Sequence, residues 1–262
     1  MKWSYKRKEE EPMSGRVLKP LSGKEVGEFF ASLAQQVPAE LFDHPEQVRR
    51  YLRRTSELGK VLRQVLLEKV EALDLDHHLA LWQRVYWEIC GIEPRLQDIR
   101  LPDDPGGFGW PIVATPEVPL NSFWQGLQQK FPCWCYGGND LEALLDWQRQ
   151  QRSYRDGAYC VRVRDRVEAD EEMRNLSANQ LAERGEQVDT LDERTRLEGF
   201  YWILSSGHHL DVRNQTLCAG SRSSDGIVPR VSWRAGRLSV SWRHPDSAGG
   251  GLRARQVVPQ AA

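Results

Sequence analysis

Long apolar runs are missing from this 262-residue chain: no stretch approaches the ~20 consecutive apolar residues that a bilayer-spanning helix requires. An apolar leader is missing as well. Met1 to Lys8 is polar and basic and runs into Glu9, Glu10 and Glu11, so no secretory signal is expected. Cysteine is sparse and odd in number: Cys90, Cys133, Cys135, Cys160 and Cys218 lie scattered, without the paired spacings of a zinc site or a redox dithiol. The expectation is a cytoplasmic protein with reduced thiols and no membrane attachment. Neither a Gly-Lys-Ser/Thr phosphate loop nor a Gly-x-Ser-x-Gly nucleophile elbow occurs. Lysine is absent from the last quarter of the chain. From Arg194 onward there are ten arginines and four acids, a surplus of six positive charges, so the net charge of -1 leaves the first 193 residues at -7.

What is present supports a packed core, because 40% of residues are apolar and 28% charged. Ten tryptophans are many for this length; each brings a large apolar surface and one N–H that needs a partner. The pattern along the chain is α+β, with an N-terminal helical region, a central mixed α/β region and a C-terminal antiparallel, hairpin-rich section. Residues 1–20 form a polar lead-in, 21–95 a helical region, and 96–262 an α+β domain with a basic C-terminal β section.

Ser22 with Glu25, and the stripe from Val48 to Leu73, mark helices in the first region. A further helix is expected from about Leu75 to Cys90, with Gly91 as its C-cap. Trp110–Ala114, a helix from Ser122 capped by Asn121, and Pro132–Tyr136 suggest a β-α-β unit. Another helix is expected from Asp140 to about Gln151, and a strand over 158–164. Ser177 and the pair Thr190 with Glu193 open two later helices, the second reaching about Leu204. Strands follow at Gln215–Cys218, Pro229–Trp233, Leu238–Trp242 and Arg255–Val258, with Arg234-Ala235-Gly236-Arg237 as a hairpin turn.

Several strings are distinctive in order and content: Val163 to Glu172, Asn175 to Asn179, Thr190-Leu191-x-Glu193-Arg194, His209-Leu210-Asp211, and Thr216 to Arg222 running through Asp225-Gly226 to Val231. In these the last 110 or so residues resemble an uncharacterised bacterial family. The resemblance implies a soluble bacterial protein of shared fold and supplies no activity.

Four kinds of chemistry have candidate residues. His208, His209, Asp211 and Cys218 include metal-ligand types and also a possible Cys-His-Asp nucleophile set, although adjacent histidines at a helix end more simply cap and pack. Cys133 and Cys135 share one face of a strand and lack a second pair. Asp165, Glu168, Asp170, Glu171 and Glu172, with Glu198, could bind Mg²⁺ for phosphodiester hydrolysis, whereas an acidic run after a strand more simply forms a solvated turn. Gly220 to Gly226 could hold an anion on backbone amides but reads more plainly as a tight turn.

The strongest signal is compositional. Arg222, Arg230, Arg234, Arg237, Arg243, Arg253 and Arg255 accompany Trp233 and Trp242 on C-terminal strands. Guanidinium groups pair with phosphates, and an exposed indole stacks on bases. The leading expectation is therefore a non-enzymatic accessory protein that binds nucleic acid or a nucleoprotein partner through this basic Trp/Arg face. No cofactor, metal or catalytic residue is expected. The alternatives are a metal-dependent nuclease or other hydrolase using the acids after the central strand, and a structural subunit held to a protein partner.

Overall fold

The computed structural model describes residues 77–260. The chain divides between Leu73 and Asp74, and every described residue belongs to the second part. The helices expected from Ser22 to Leu73 lie outside the described residues.

The first element is helix α1, residues 77–90. Its apolar spacing of three and four residues buries Trp82, Val85, Tyr86 and Ile89 along one face. Gly91 ends it at φ 67°, with its N–H bonded to the Trp87 carbonyl at 2.8 Å. Two polar handles dock this face on strand β1 (Trp110–Ala114). The Trp82 indole donates to the Pro111 carbonyl at 2.9 Å, and the Tyr86 hydroxyl to the Val113 carbonyl at 2.6 Å. The helix grouped by sequence with the N-terminal region is thus part of the α+β core.

The remaining elements are helix α2 (Leu120–Lys130), strand β2 (Cys133–Cys135), strand β3 (Tyr159–Val163), helix α3 (Ala178–Glu183), helix α4 (Leu191–Leu204), and strands β4 (Gln215–Leu217), β5 (Val228–Arg234), β6 (Arg237–Arg243), β7 (Leu252–Arg253) and β8 (Val257–Pro259). They form two sheets, one ordered β1-β3-β8 and one ordered β2-β6-β5-β4-β7. The fold is α+β.

Three local expectations need correction. The β-α-β unit does not form, because β1 pairs antiparallel with β3 whereas β2 pairs parallel with β6 in the other sheet. Asn121 does not cap α2. Pro119 precedes the helix, and the Asn121 amide donates instead to Asp140 at 2.7 Å. The stretch from Asp140 to Gln151 is turns and a single 3-10 turn, Trp147–Arg149. Its carboxylates close local turns on the backbone of Ala143 and Gln148. Its main chain pairs with the 220–223 loop through Asp146 to Arg222 at 2.9 Å and Gln151 to Gly220 at 2.8 Å.

The later helices begin where their caps predict. Ser177 with Gln180, and Thr190 with Glu193, each close a reciprocal capping box. Helix α4 packs against β1, β5 and α2. Gly199 lets α2 approach it closely, since an added Cβ there would lie 2.7 Å from the Phe123 ring. Gly126 on α2 plays the same part toward α1, with a built Cβ 2.4 Å from the Ile89 carbonyl oxygen. A second, smaller cluster of Met173, Ala178, Leu181, Val188, Leu217, Ala219, Val228 and Ala254 joins α3 to the β4 side of the five-stranded sheet. Among the described residues no helix is long and apolar enough to cross a membrane.

Gly199→Ala should lower stability by about 1–3 kcal/mol, because the overpacking outweighs the better helix propensity of alanine. Thermal unfolding should show a lower midpoint than wild type; an unchanged midpoint would mean that the α2–α4 contact is not close.

Candidate functional site

The hairpin β5–β6 closes on Ala235 and Gly236, both with positive φ (51° and 72°), the two-residue turn whose twist suits adjacent strands. Its register opposes Arg234 to Arg237, Ser232 to Ser239, Arg230 to Ser241 and Val228 to Arg243. Side chains alternate across the sheet. Pro229, Val231, Trp233, Leu238, Val240 and Trp242 point to the main core. Arg230, Ser232, Arg234, Arg237, Ser239, Ser241 and Arg243 share the opposite face with Val228, which is buried in the second, smaller cluster and closes that face at the Arg243 end.

Strand β2 extends that outer face. Cys133 and Cys135 oppose Leu238 and Val240, so they share the core side, and Trp134 opposes Ser239 on the outer side. Tyr136 continues the ladder, donating its N–H to the Val240 carbonyl at 3.0 Å. Trp134 and Tyr136 are 37% and 66% exposed, with ring centroids 6.3 Å apart. The Arg237 guanidinium lies over the Trp134 ring at 4.9 Å.

The arginines of this face lack acidic partners. Arg230 donates to the Ser241 hydroxyl at 2.8 Å and to the Gln215 amide oxygen, both neutral acceptors. Its pKa is lowered by partial burial and by the like charges of Arg243 and Arg234. Among the described residues no carboxylate pairs with Arg230, Arg234, Arg237 or Arg243.

The other residues expected at this interface lie elsewhere. Trp233 is on the core side, its ring stacked on His209 at 3.3 Å and 5°. Trp242 also packs against the core, and its indole N–H donates to the Tyr136 carbonyl at 2.8 Å. Arg222 donates to the Ala219 and Ser221 carbonyls of its own loop. Arg253, at the far edge of the sheet, is paired with Glu171. Arg255 is 1% exposed and belongs to the interior. These five are not part of the open arginine face. Trp134 and Tyr136 were missed, although the Cys-Trp-Cys-Tyr alternation carries the signal that they share one face.

Behind the sheet, α4 is buried almost all round and carries Asp192, Glu193, Arg194, Arg196 and Glu198. Each charge is answered inside the protein. Asp211 accepts from Arg194 Nε at 2.9 Å, from Arg255 Nη2 at 2.7 Å, from the Ala169 N–H at 2.9 Å and from the Thr216 hydroxyl. Burial opposes its charge, yet Arg255 and Arg194 hold its carboxyl below the ordinary value. Arg194 also bonds Glu198 at 2.8 Å, and Glu198 holds His209 Nδ1 at 2.9 Å. Arg196 spends its donors on Asp192, the Tyr86 hydroxyl and the Val118 carbonyl. Glu193 takes Arg152 at 2.7 Å and the Tyr159 hydroxyl at 3.0 Å. Asp189 differs. Burial pushes its pKa well above the ordinary aspartate value despite Arg255 nearby, in the direction of the neutral acid.

The candidate chemical groups are dispersed by the same pairing. Asp170 is bound by Arg164, Glu171 by Arg174 and Arg253, and Glu172 by Arg166, which pulls its pKa down to about 2. Glu168 accepts the backbone N–H groups of Arg213 and Asn214. Among the described residues no group of three His, Cys, Asp or Glu is arranged to hold a metal ion. Cys218 is fully buried, and burial pushes its thiol far up, away from the nucleophilic thiolate. His208 Nδ1 bonds the Ser205 carbonyl at 2.7 Å, so neither histidine nitrogen seen in a contact addresses the thiol. No family model, curated protein or solved structure matches the chain.

The two buried aspartates should respond in opposite ways to an amide. Asp211→Asn leaves Arg194 and Arg255 undercompensated and should cost about 3–5 kcal/mol at pH 7. Asp189→Asn mimics the neutral acid and should leave stability unchanged or raise it. The wild-type signs follow. The lowered pKa of Asp211 contributes stability above the unfolded value that is lost as pH falls through the folded one. The raised pKa of Asp189 costs stability as pH rises above the unfolded value. Denaturant titrations of both variants at pH 5 and pH 7 check this.

Proposed function

We propose that this protein binds nucleic acid, free or within a nucleoprotein, through the outer face of β2, β6 and β5. One observation carries the reading: Arg230, Arg234, Arg237 and Arg243 gather on one sheet face without a carboxylate partner. Elsewhere Arg164, Arg166, Arg174, Arg194, Arg196, Arg253 and Arg255 each meet an acid. The pKa of Arg230 is lowered first by partial burial and then by the like charges of Arg243 and Arg234, and a polyanion relieves that like-charge repulsion. Its phosphates would take the guanidinium donors, and release of condensed counterions would supply much of the binding free energy. Of the acids that follow β3, Glu168, Asp170, Glu171 and Glu172 are committed to arginines or backbone amides and Asp165 stands exposed, so the hydrolase alternative has less support.

Fluorescence anisotropy with a labelled oligonucleotide tests this. Affinity should fall steeply with salt, with a log–log slope near -3 for about four phosphate contacts. Arg234→Ala, Arg237→Ala and Arg243→Ala should each reduce that slope by about one with little effect on fold. Absence of affinity for DNA and RNA at low salt contradicts the reading.

A further inference from the structure

Resting on that reading, we infer that the ligand of this face is single-stranded nucleic acid and not duplex. The arginines alone do not choose between the two, because both present phosphates. The aromatics do. Trp134 and Tyr136 stand two residues apart on the outer side of the edge strand, with rings 6.3 Å apart and inclined at 63°. Side chains at this spacing rise from the sheet about 7 Å apart. A duplex buries its base faces in its own stack and offers these rings nothing to stack upon. A single strand exposes a π-face at every nucleotide, and stacking on aromatic side chains is how such strands are held without sequence preference.

The neighbouring chemistry fits the same ligand. Arg237 lies over the indole of Trp134, so a phosphate donor stands beside a base platform. Ser239 and Ser241 lie between Arg237 and Arg243 on β6, and the Ser241 hydroxyl accepts from Arg230 Nε at 2.8 Å, which brings a further guanidinium onto the same row. The row from Arg237 to Arg243 spans about 20 Å of strand, enough for several nucleotides to lie along it. A protein partner is less well matched, because the centres of protein interfaces are depleted of charge and this face has four arginines around two aromatics.

The test uses the full chain with four probes at low salt: oligo-dT, a single-stranded RNA of mixed sequence, a DNA duplex of equal length, and heparin as a polyanion without bases. Wild type should bind both single strands at least tenfold more tightly than the duplex. Tyr136→Ala, at an exposed position, and Trp134→Ala should each lose about tenfold or more for the single strands while heparin affinity stays unchanged. Far-UV circular dichroism and thermal unfolding confirm that each variant is folded; Tyr136→Ala decides the matter if Trp134→Ala is not. Equal or tighter duplex binding, or equal losses on all four probes, overturns the single-strand inference and leaves the nucleic-acid interface standing. Failure of wild type to bind any nucleic-acid probe overturns the interface reading as well.

Discussion

Much of the described fold depends on Asp211. This residue has a left-handed backbone at φ 51° and a fully buried carboxylate that binds two buried arginines, one from the central helix and one from the end of the chain. Its N–H donates to the Val167 carbonyl and its own carbonyl accepts from Trp233. One residue therefore ties α4, the turn after β3, the loop before β4, strand β5 and the final segment. A charge taken out of water costs several kcal/mol unless it is paired and fully hydrogen-bonded, and the arrangement meets that condition for Asp211. It also restricts the alternatives. Any shift of α4 along the sheet would leave Arg194 or Glu198 without its partner.

That dependence explains which features were legible in the sequence. The capping boxes at Ser177 and Thr190 and the hairpin at Ala235–Gly236 are set by residues close in the chain, so their positions could be read directly. The burial of α4 could not. Its run of Asp, Glu and Arg resembles a solvated face, and only partners far along the chain make it a core element. Arg255 illustrates the limit. It reads as one more member of a basic tail, yet its partner Asp211 lies 44 residues earlier. The turns after Asp140 show the converse, where helical apolar spacing is overridden by main-chain pairing to the 220–223 loop.

The same pairing sorts the arginines of the C-terminal section. Some neutralise buried acids, some tie surface acids or loop carbonyls, and Arg230, Arg234, Arg237 and Arg243 share the outer face of the hairpin with neutral neighbours or none. Period-two alternation separates the two faces of the hairpin but does not say which one meets the core. The tryptophans of the hairpin turn inward, Trp233 against His209 and Trp242 beneath Tyr136, while the exposed aromatic platform comes from β2. The proposed interface therefore draws on two distant parts of the chain, a Cys-Trp-Cys-Tyr strand and an arginine hairpin, joined by the parallel pairing of β2 with β6.

The most direct measurement of this account is an NMR titration of the full chain with oligo-dT, following the indole N–H and arginine Nε–H signals. The account predicts progressive shifts for Trp134, Arg234, Arg237 and Arg243, with Trp124, Arg194 and Arg255 left in place. Shifts confined to residues away from the β2–β6–β5 face, or no shifts at all, would contradict it.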